Sequence, residues 1–364
     1  MGIQDKYSSR KSPTRTVAKP KLQQQCETGG HVIKAKHFTM ALDGTSSNDR
    51  LMIIQMASDN QIRDMNAFKK KKTFQEEDMF DAKDMQDVFR FLYNEKAIEL
   101  DNKLGAGNYS EVYVGKNMRK RNKKVAVKII KMSDAKRSRN YQVNFLQNEL
   151  NIIAKLRHPR IIRTYSLCQV ANKVIVVMEF ASRGTMSDIV TQYGALVELT
   201  ACKFFREMIR GLAFMHLQHS VAHRDLKLEN ILITENNIPK LADFSFSVVF
   251  DGHTLCEQYC GTPPYFAPEL FKKVPYNPLL SDMWSIGVCL FIMTNDKYPF
   301  GPFDKPDEML QLQLERKFTF REKIMVKYSS YYKPLVRRLL EPEPELRYDV
   351  RDVLTSRWVT SCPQ

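Results

Sequence analysis

The chain has 364 residues, 43% hydrophobic and 10% aromatic, with 56 basic against 41 acidic side chains and a net charge of +15. That composition excludes a wholly disordered polymer and supports one large fold or two modest domains, while the charge favours phosphate-bearing or acidic partners without specifying a fold. No apolar run reaches the ~18 residues of a membrane span, and the seven scattered cysteines form no C-x-x-C pair, which excludes a zinc knuckle or disulfide framework and predicts reduced thiols in a cytoplasmic protein with nuclear access left open.

Residues 1–36 are rich in Ser, Thr, Gln, Gly, Pro, Lys and Arg and read as a basic, largely disordered tail. The Lys69–Lys72 run is followed by Glu76, Glu77, Asp78, Asp81, Asp84 and Asp87. Phe80, Asp84, Val88 and Phe91 fall at helical spacing, so a short amphipathic helix is predicted near 75–93. It reads as a solvated lead-in to the fold or as a docking element for a partner, and residues 1–96 form an N-terminal extension. From Ala97 the texture changes. IELDNKLGAGNYSEVYVGKN and KKVAVKIIK read as strand, glycine turn, strand, link and strand. A helical segment is expected at 141–156, strands near 161–168 and 173–180, and a mainly helical remainder after Gly184 with short strands around 230–241. The fold class is α+β, a small β-rich lobe followed by a larger α-helical lobe joined near Glu179–Gly184.

Gly105-Ala106-Gly107 is a weak signal alone. A dinucleotide site needs a helix after the glycines, whereas EVYVG continues as a strand, and the Walker pattern is absent. A glycine hairpin can fold its backbone N–H groups over phosphates or serve only as a turn. Lys128 ends an alternating apolar strand. Glu149 shares the inward stripe of its helix with Leu146 and Ile153, and a carboxylate there needs a cationic partner. Lys128 is the candidate, and the pair could hold nucleotide phosphates. The strongest string is His223-Arg224-Asp225-Leu226-Lys227-Leu228-Glu229-Asn230. Asp225 can accept a hydroxyl proton, Lys227 can reach a transferring phosphoryl group, and Asn230 with Asp243 supplies hard oxygen ligands for a divalent metal. Phosphoryl transfer asks for this positioning and charge neutralisation rather than covalent help.

With Ala267-Pro268-Glu269 and Asp282-Met283-Trp284-Ser285-Ile286-Gly287 in order, the chain resembles the eukaryotic protein kinase family over about residues 97–358. IIRTYSL, KVIVVMEFASRG, KLADFSFS and YCGTPPYFAPEL are similar to the calcium/calmodulin-kinase-related group, and within it to the testis-specific serine/threonine kinases. The resemblance implies a two-lobed protein kinase fold, followed by a short tail at 359–364. It implies a serine/threonine kinase that transfers the γ-phosphate of ATP to protein hydroxyls, with a role in male germ-cell differentiation. Asp225, Lys227, Lys128 and Glu149 would be catalytic. The nucleotide would lie against Leu104, Gly105, Ala106, Gly107, Asn108, Tyr109, Ser110, Glu111, Val112, Ala126 and Lys128, with Met178 as gatekeeper and Glu179 and Ala181 at the hinge. Asn230 and Asp243 would hold Mg²⁺, with Mn²⁺ as a substitute. Asp282, on a buried helix over 279–293, would bind the catalytic-loop backbone, and Glu269 would pair with Arg347. The expected partners are ATP, a Ser/Thr protein substrate and a docking partner for the basic extension, rather than nucleic acid or membrane.

The sequence departs from the family in places. Ser110 stands where a third glycine is common, and Ser245 replaces the glycine after Asp-Phe, which predicts a site biased toward Asp243-in. These two positions support the alternative of an ATP-binding pseudokinase or scaffold, and the basic tail supports a nucleotide-independent binder. Gln258 occupies the place of a phosphorylatable threonine, so Arg224 is expected to meet Glu257, or else a phosphate on Thr254 or Tyr259. In the substrate groove Glu229 is kept, while Thr185 and Ile292 stand where relatives carry acids.

Overall fold

A computed structural model describes residues 82–106, 110–131, 149–170 and 172–362. All belong to the second of two contact units, Lys36–Gln364; the expectations for the basic tail and for residues 75–81 lie outside them.

Helix α1 is described over Ala82–Lys96 and runs three residues beyond the predicted end at 93. The stretch lacks Gly and Pro, and it stops where Ala97 takes a left-handed φ of 53°. It is no solvated lead-in. Val88 and Leu92 are 0% exposed, and with Met85 and Phe91 they pack on the sheet that follows.

That sheet comprises β1 (Ile98–Ala106), β2 (Ser110–Asn117), β3 (Lys123–Lys131), β4 (Thr164–Val170) and β5 (Lys173–Glu179), antiparallel in the order β1-β2-β3-β5-β4. The side-chain period of two divides its faces. Val125, Val127 and Ile129 of β3 join Ile98, Cys168, Val170, Ile175 and Val177 under α1. Ala126 and Lys128 take the opposite face, level with Val114 and Val112 of β2. At roughly 1.5–3 kcal/mol per buried aliphatic side chain, Val88 and Leu92 make α1 a structural layer of this lobe. Helix α2, described over 149–155, lies between β3 and β4 in sequence and sends Ile152 and Ile153 into the larger core.

The second lobe starts with α3 (Met186–Tyr193), where Thr185 and Asp188 form a reciprocal capping box. Next come α4 (Glu198–Ala213), the short strands β6 (Val221–Ala222), β7 (Ile231–Ile233), β8 (Pro239–Leu241) and β9 (Val248–Val249), and the brief helix α5 (Pro268–Phe271). Helix α6 (Pro278–Asn295) is opened by the Asn277 cap and Pro278 at its first position. It is buried nearly all round, which fits its sequence. Helices α7 (Pro306–Leu314), α8 (Glu322–Lys327), α9 (Tyr332–Leu339), α10 (Val350–Thr355) and α11 (Arg357–Thr360) complete the lobe. Of the short tail expected at 359–364, the described residues pack on the lobe: Val359 and Cys362 are buried, and Arg206 donates to the Cys362 carbonyl at 2.7 Å. Among the described residues no helix is long and apolar enough to cross a membrane.

Candidate active site

Three elements distant in sequence meet at Lys128. Its Nζ donates to Glu149 Oε1 of α2 at 3.0 Å, to Asp243 Oδ1 at 2.8 Å and to Ser245 Oγ at 3.1 Å. The Lys128 and Glu149 side chains are only 11% and 8% exposed, so each carboxylate offsets a desolvation penalty the ammonium would otherwise carry. Burial opposes the charge on Lys128, but Asp243 and then Glu149 outweigh it and hold the ammonium above the ordinary lysine range. Burial likewise opposes ionisation of Asp243, yet Lys128, joined by the Ser245 hydroxyl, holds its carboxyl well below the usual range.

The proposed nucleotide strip lies on the same sheet face. Val112 is the register partner of Lys128, Val114 of Ala126, and Met178 stands opposite Ala126 on β5. Gly105 carries nothing within 4 Å of where a Cβ would sit, leaving open approach to the backbone, and Leu104 beside it is 52% exposed. Ser110 opens β2; Gly107, Asn108 and Tyr109 lie outside the described residues. Glu111 does not belong to this strip. Its side chain shares the parity of Tyr113, so it points to the α1 face, where it pairs with Lys103 and accepts from Tyr113 OH at 2.8 Å. At the hinge, the Glu179 N–H is spent on the Arg163 carbonyl (2.8 Å) and its carboxylate on Lys240 (2.8 Å). Ala181 lies beyond the end of the strand at Glu179.

The loop after β6 holds the second constellation. Asp282 of α6 reaches up from the buried core: Oδ2 accepts from His223 N at 2.7 Å and Oδ1 from Arg224 N at 2.8 Å. These bonds hold Arg224 at φ 64°, and Asp243 sits at φ 61°. Two non-glycine residues in the left-handed region mark a site where the surroundings override local preference. Asp225 is the hub. Its Oδ1 accepts from Thr262 Oγ1 at 2.7 Å, its Oδ2 pairs with Lys227 Nζ at 2.9 Å, and Lys227 also donates to Thr262 at 2.8 Å. Asn230 Nδ2 donates to the Asp225 carbonyl at 2.9 Å and to Oδ2 at 3.0 Å.

The protein kinase domain family matches residues 98–359. The chain belongs to the protein kinase family. It is 32% identical to the serine/threonine-protein kinase kin-29 of Caenorhabditis elegans over 70% of this chain and 30% of that one. It is 31% identical to the probable serine/threonine-protein kinase MARK-A of Dictyostelium discoideum over 72% of this chain and 24% of that one. With the human testis-specific serine/threonine-protein kinase 4 it is 30% identical over 78% of this chain and 88% of the relative. The chain thus spans about a third or less of the first two relatives and most of the third.

Several features of this kinase domain escape motif reading. The last turns of α4 widen into a π-helix over Phe214–Gln218, which presents His216 Nε2 to Asp282 Oδ2 at 2.9 Å. Gly261 sits at φ 110°, and a Cβ there would lie 2.5 Å from the Arg224 carbonyl; the Cys-Gly pair was its only signal. The expected pair of Glu269 with Arg347 is present and bidentate at 2.7 and 3.0 Å; what motif reading missed is the Trp284 ring, whose centroid lies 5.2 Å from the guanidinium. The activation segment departs from expectation. Glu257 is exposed, and Arg224 donates instead to Gln258 Oε1 at 3.1 Å and, through Nε, to the Phe246 carbonyl at 2.6 Å. The reason is that Tyr276 pins the backbone there, its OH donating to the Gln258 carbonyl at 2.9 Å while its main chain pairs with Cys256.

A divalent metal fits the donor set. The NH₂ of Asn230 is committed to Asp225, which orients its Oδ1 as a neutral oxygen, and Asp243 keeps Oδ2 beyond the bonds at Oδ1. Two hard protein oxygens suit an ion that completes its shell with water and phosphate.

Proposed function

We propose that this chain is a serine/threonine protein kinase that transfers the γ-phosphoryl group of ATP to a hydroxyl of a protein substrate. The observation that carries the reading is the Asp225–Lys227–Thr262 triangle, with Asn230 fixed to the same aspartate. In the transfer, the substrate hydroxyl oxygen bonds to the γ-phosphorus as the bond to the β-bridging oxygen breaks, and the hydroxyl proton passes to Asp225. Thr262 and Lys227 hold that carboxylate in a single orientation, and the Lys227 ammonium neutralises charge on the phosphoryl oxygens. Lys128, fixed by Glu149, holds the nucleotide phosphates. Asn230 and Asp243 would bind Mg²⁺, or Mn²⁺ in its place, which when bound neutralises phosphate charge.

The substrate groove carries little acid. Glu229 is exposed and within 3.5 Å of Tyr265 OH, Thr185 spends its hydroxyl capping α3, and Ile292 is buried. A substrate with only a weak demand for upstream basic residues suits this groove. The similarity spanning most of the human testis-specific kinase supports a germ-cell setting. Transfer of radiolabelled phosphate from ATP to a generic basic protein tests the activity. Incorporation that is lost in Asp225→Asn is expected; no incorporation by the wild type with metal present would favour a nucleotide-binding scaffold.

A further inference from the structure

We propose that Ser245 is a positioning residue: its hydroxyl ties the side chain of Asp243 to Lys128 and so keeps the metal-binding carboxylate turned into the cleft. This rests on the kinase reading and adds to it a residue where the family commonly carries glycine. The geometry is a closed triangle of 2.6 Å from Ser245 Oγ to Asp243 Oδ1, 3.1 Å from Lys128 Nζ to Ser245 Oγ, and 2.8 Å from Lys128 Nζ to Asp243 Oδ1. Its polarity has one solution. An ammonium only donates and a carboxylate only accepts, so the hydroxyl accepts from Lys128 and donates to Asp243. A glycine offers neither half of that bridge.

The backbone points the same way. Asp243 is held at φ 61°, whereas Ser245 is absent from the described residues with positive φ. The inward arrangement therefore asks nothing of Ser245 that a side chain resists. Swinging Asp243 outward requires new dihedrals around Phe244 and Ser245, and a Cβ narrows that choice. It also requires extraction of Phe244, 4% exposed with its ring 5.2 Å from that of His223, and disturbance of the turn closed by Ser247 N to the Phe244 carbonyl at 3.0 Å. The hydroxyl acts on top of these, as a hydrogen bond to a charged group made only in the inward state.

Three variants of the full chain separate the contributions: Ser245→Ala removes the hydroxyl and keeps Cβ, Ser245→Thr keeps both, and Ser245→Gly removes both. The readout is the ratio of affinities for two inhibitors, one that needs the aspartate turned outward and one that occupies the adenine site with it inward, measured by displacement of a fluorescent probe without turnover. The ratio is expected to rise roughly 10–150-fold in Ser245→Ala, the range for losing a hydrogen bond to a charged group. It should rise further in Ser245→Gly and stay near wild type in Ser245→Thr. A Ser245→Ala ratio equal to wild type overturns the assignment, as does a Ser245→Thr ratio that follows Ser245→Ala, since shape would then explain the effect. Failure of the adenine-site inhibitor to bind the wild type would instead overturn the kinase reading, and this assignment with it.

Discussion

Two cations organise the cleft, and they are held in opposite ways. Lys128 sits between the carboxylates of Glu149 and Asp243 in a pocket that leaves it 11% exposed. Arg224 donates, among its contacts, to the Phe246 carbonyl and to the amide oxygen of Gln258, and it also hydrogen-bonds with Tyr276. Lys128 and Glu149 are the buried members, Asp243 being 46% exposed, and removing either of the buried two leaves the other desolvated and short of a partner. A cation that shares its donors among several acceptors keeps the others when one is removed. The first arrangement suits a group that must face phosphates in one geometry. The second suits an anchor that holds a segment without a switch.

The largest effect is expected at Lys128. Lys128→Met is expected to lower phosphoryl transfer on the order of 10²–10⁴-fold, since it removes a positioned charge and leaves Glu149 without its cation. Asp225→Asn should fall in the same range while ATP affinity, measured by calorimetry, stays near wild type, because Asp225 meets the acceptor hydroxyl rather than the nucleotide. Activity within twofold of wild type in either would sink the site assignment. Glu149→Gln is expected to cost about 10–100-fold, mostly as weaker ATP binding, because Asp243 still holds Lys128 when the other carboxylate is neutral.

The cleft was readable in the sequence because phosphoryl transfer restricts residue types at fixed spacings. Lys128, Asp225, Lys227, Asn230 and Asp243 can be picked out one by one, and the structure brings them together. Strand parity was also available and would have moved Glu111 off the nucleotide strip, since it alternates with Val112 and shares a face with Tyr113. Two features were not readable. Burial of α1 depends on the outer face of the sheet, whose Val125, Val127 and Ile129 meet Val88 and Leu92 across a distance no local pattern encodes. The choice of Gln258 over Glu257 as the partner of Arg224 depends on Tyr276, a residue from another segment that sets which side chain turns inward. Charge favoured Glu257; backbone geometry decided otherwise.

The Arg224 anchor gives the smaller effects. Gln258→Ala is expected to reduce transfer about 2–10-fold, because Arg224 keeps its bond to the Phe246 carbonyl when this one is lost. Gln258→Glu sharpens the contrast by turning the anchor into a charged one. With an ion pair in place of a bond from a cation to an amide, it should raise the melting temperature and leave or increase the rate, read by calorimetry and initial velocities. A loss in Gln258→Ala as large as that of Lys128→Met would erase the distinction between the two cations.

The smallest expected effect is that of phosphatase. If Gln258 already satisfies Arg224, the segment needs no phosphate to hold its place, and the treated enzyme should keep its rate within about twofold, well inside one hydrogen bond's worth. The two nearby hydroxyls are poorly placed to substitute. Thr254 donates its own to Asp251 Oδ2 at 2.7 Å. Asp251 is held ionised, its pKa lowered to about 2 by backbone N–H donors from Thr254 and His253. A phosphate on Thr254 would therefore add ~1.5–2 negative charges beside an existing carboxylate and open that turn rather than brace it. Tyr259 stacks on Tyr276 with centroids 6.0 Å apart, so a phosphate there would disturb the residue that pins Gln258. Mass-spectrometric mapping of residues 246–262 before and after treatment, with rates from the same samples, decides the matter. A collapse of activity that tracks loss of phosphate from Thr254 or Tyr259 would show that Arg224 answers to a phosphate after all, and that the two cations differ less than their present partners imply.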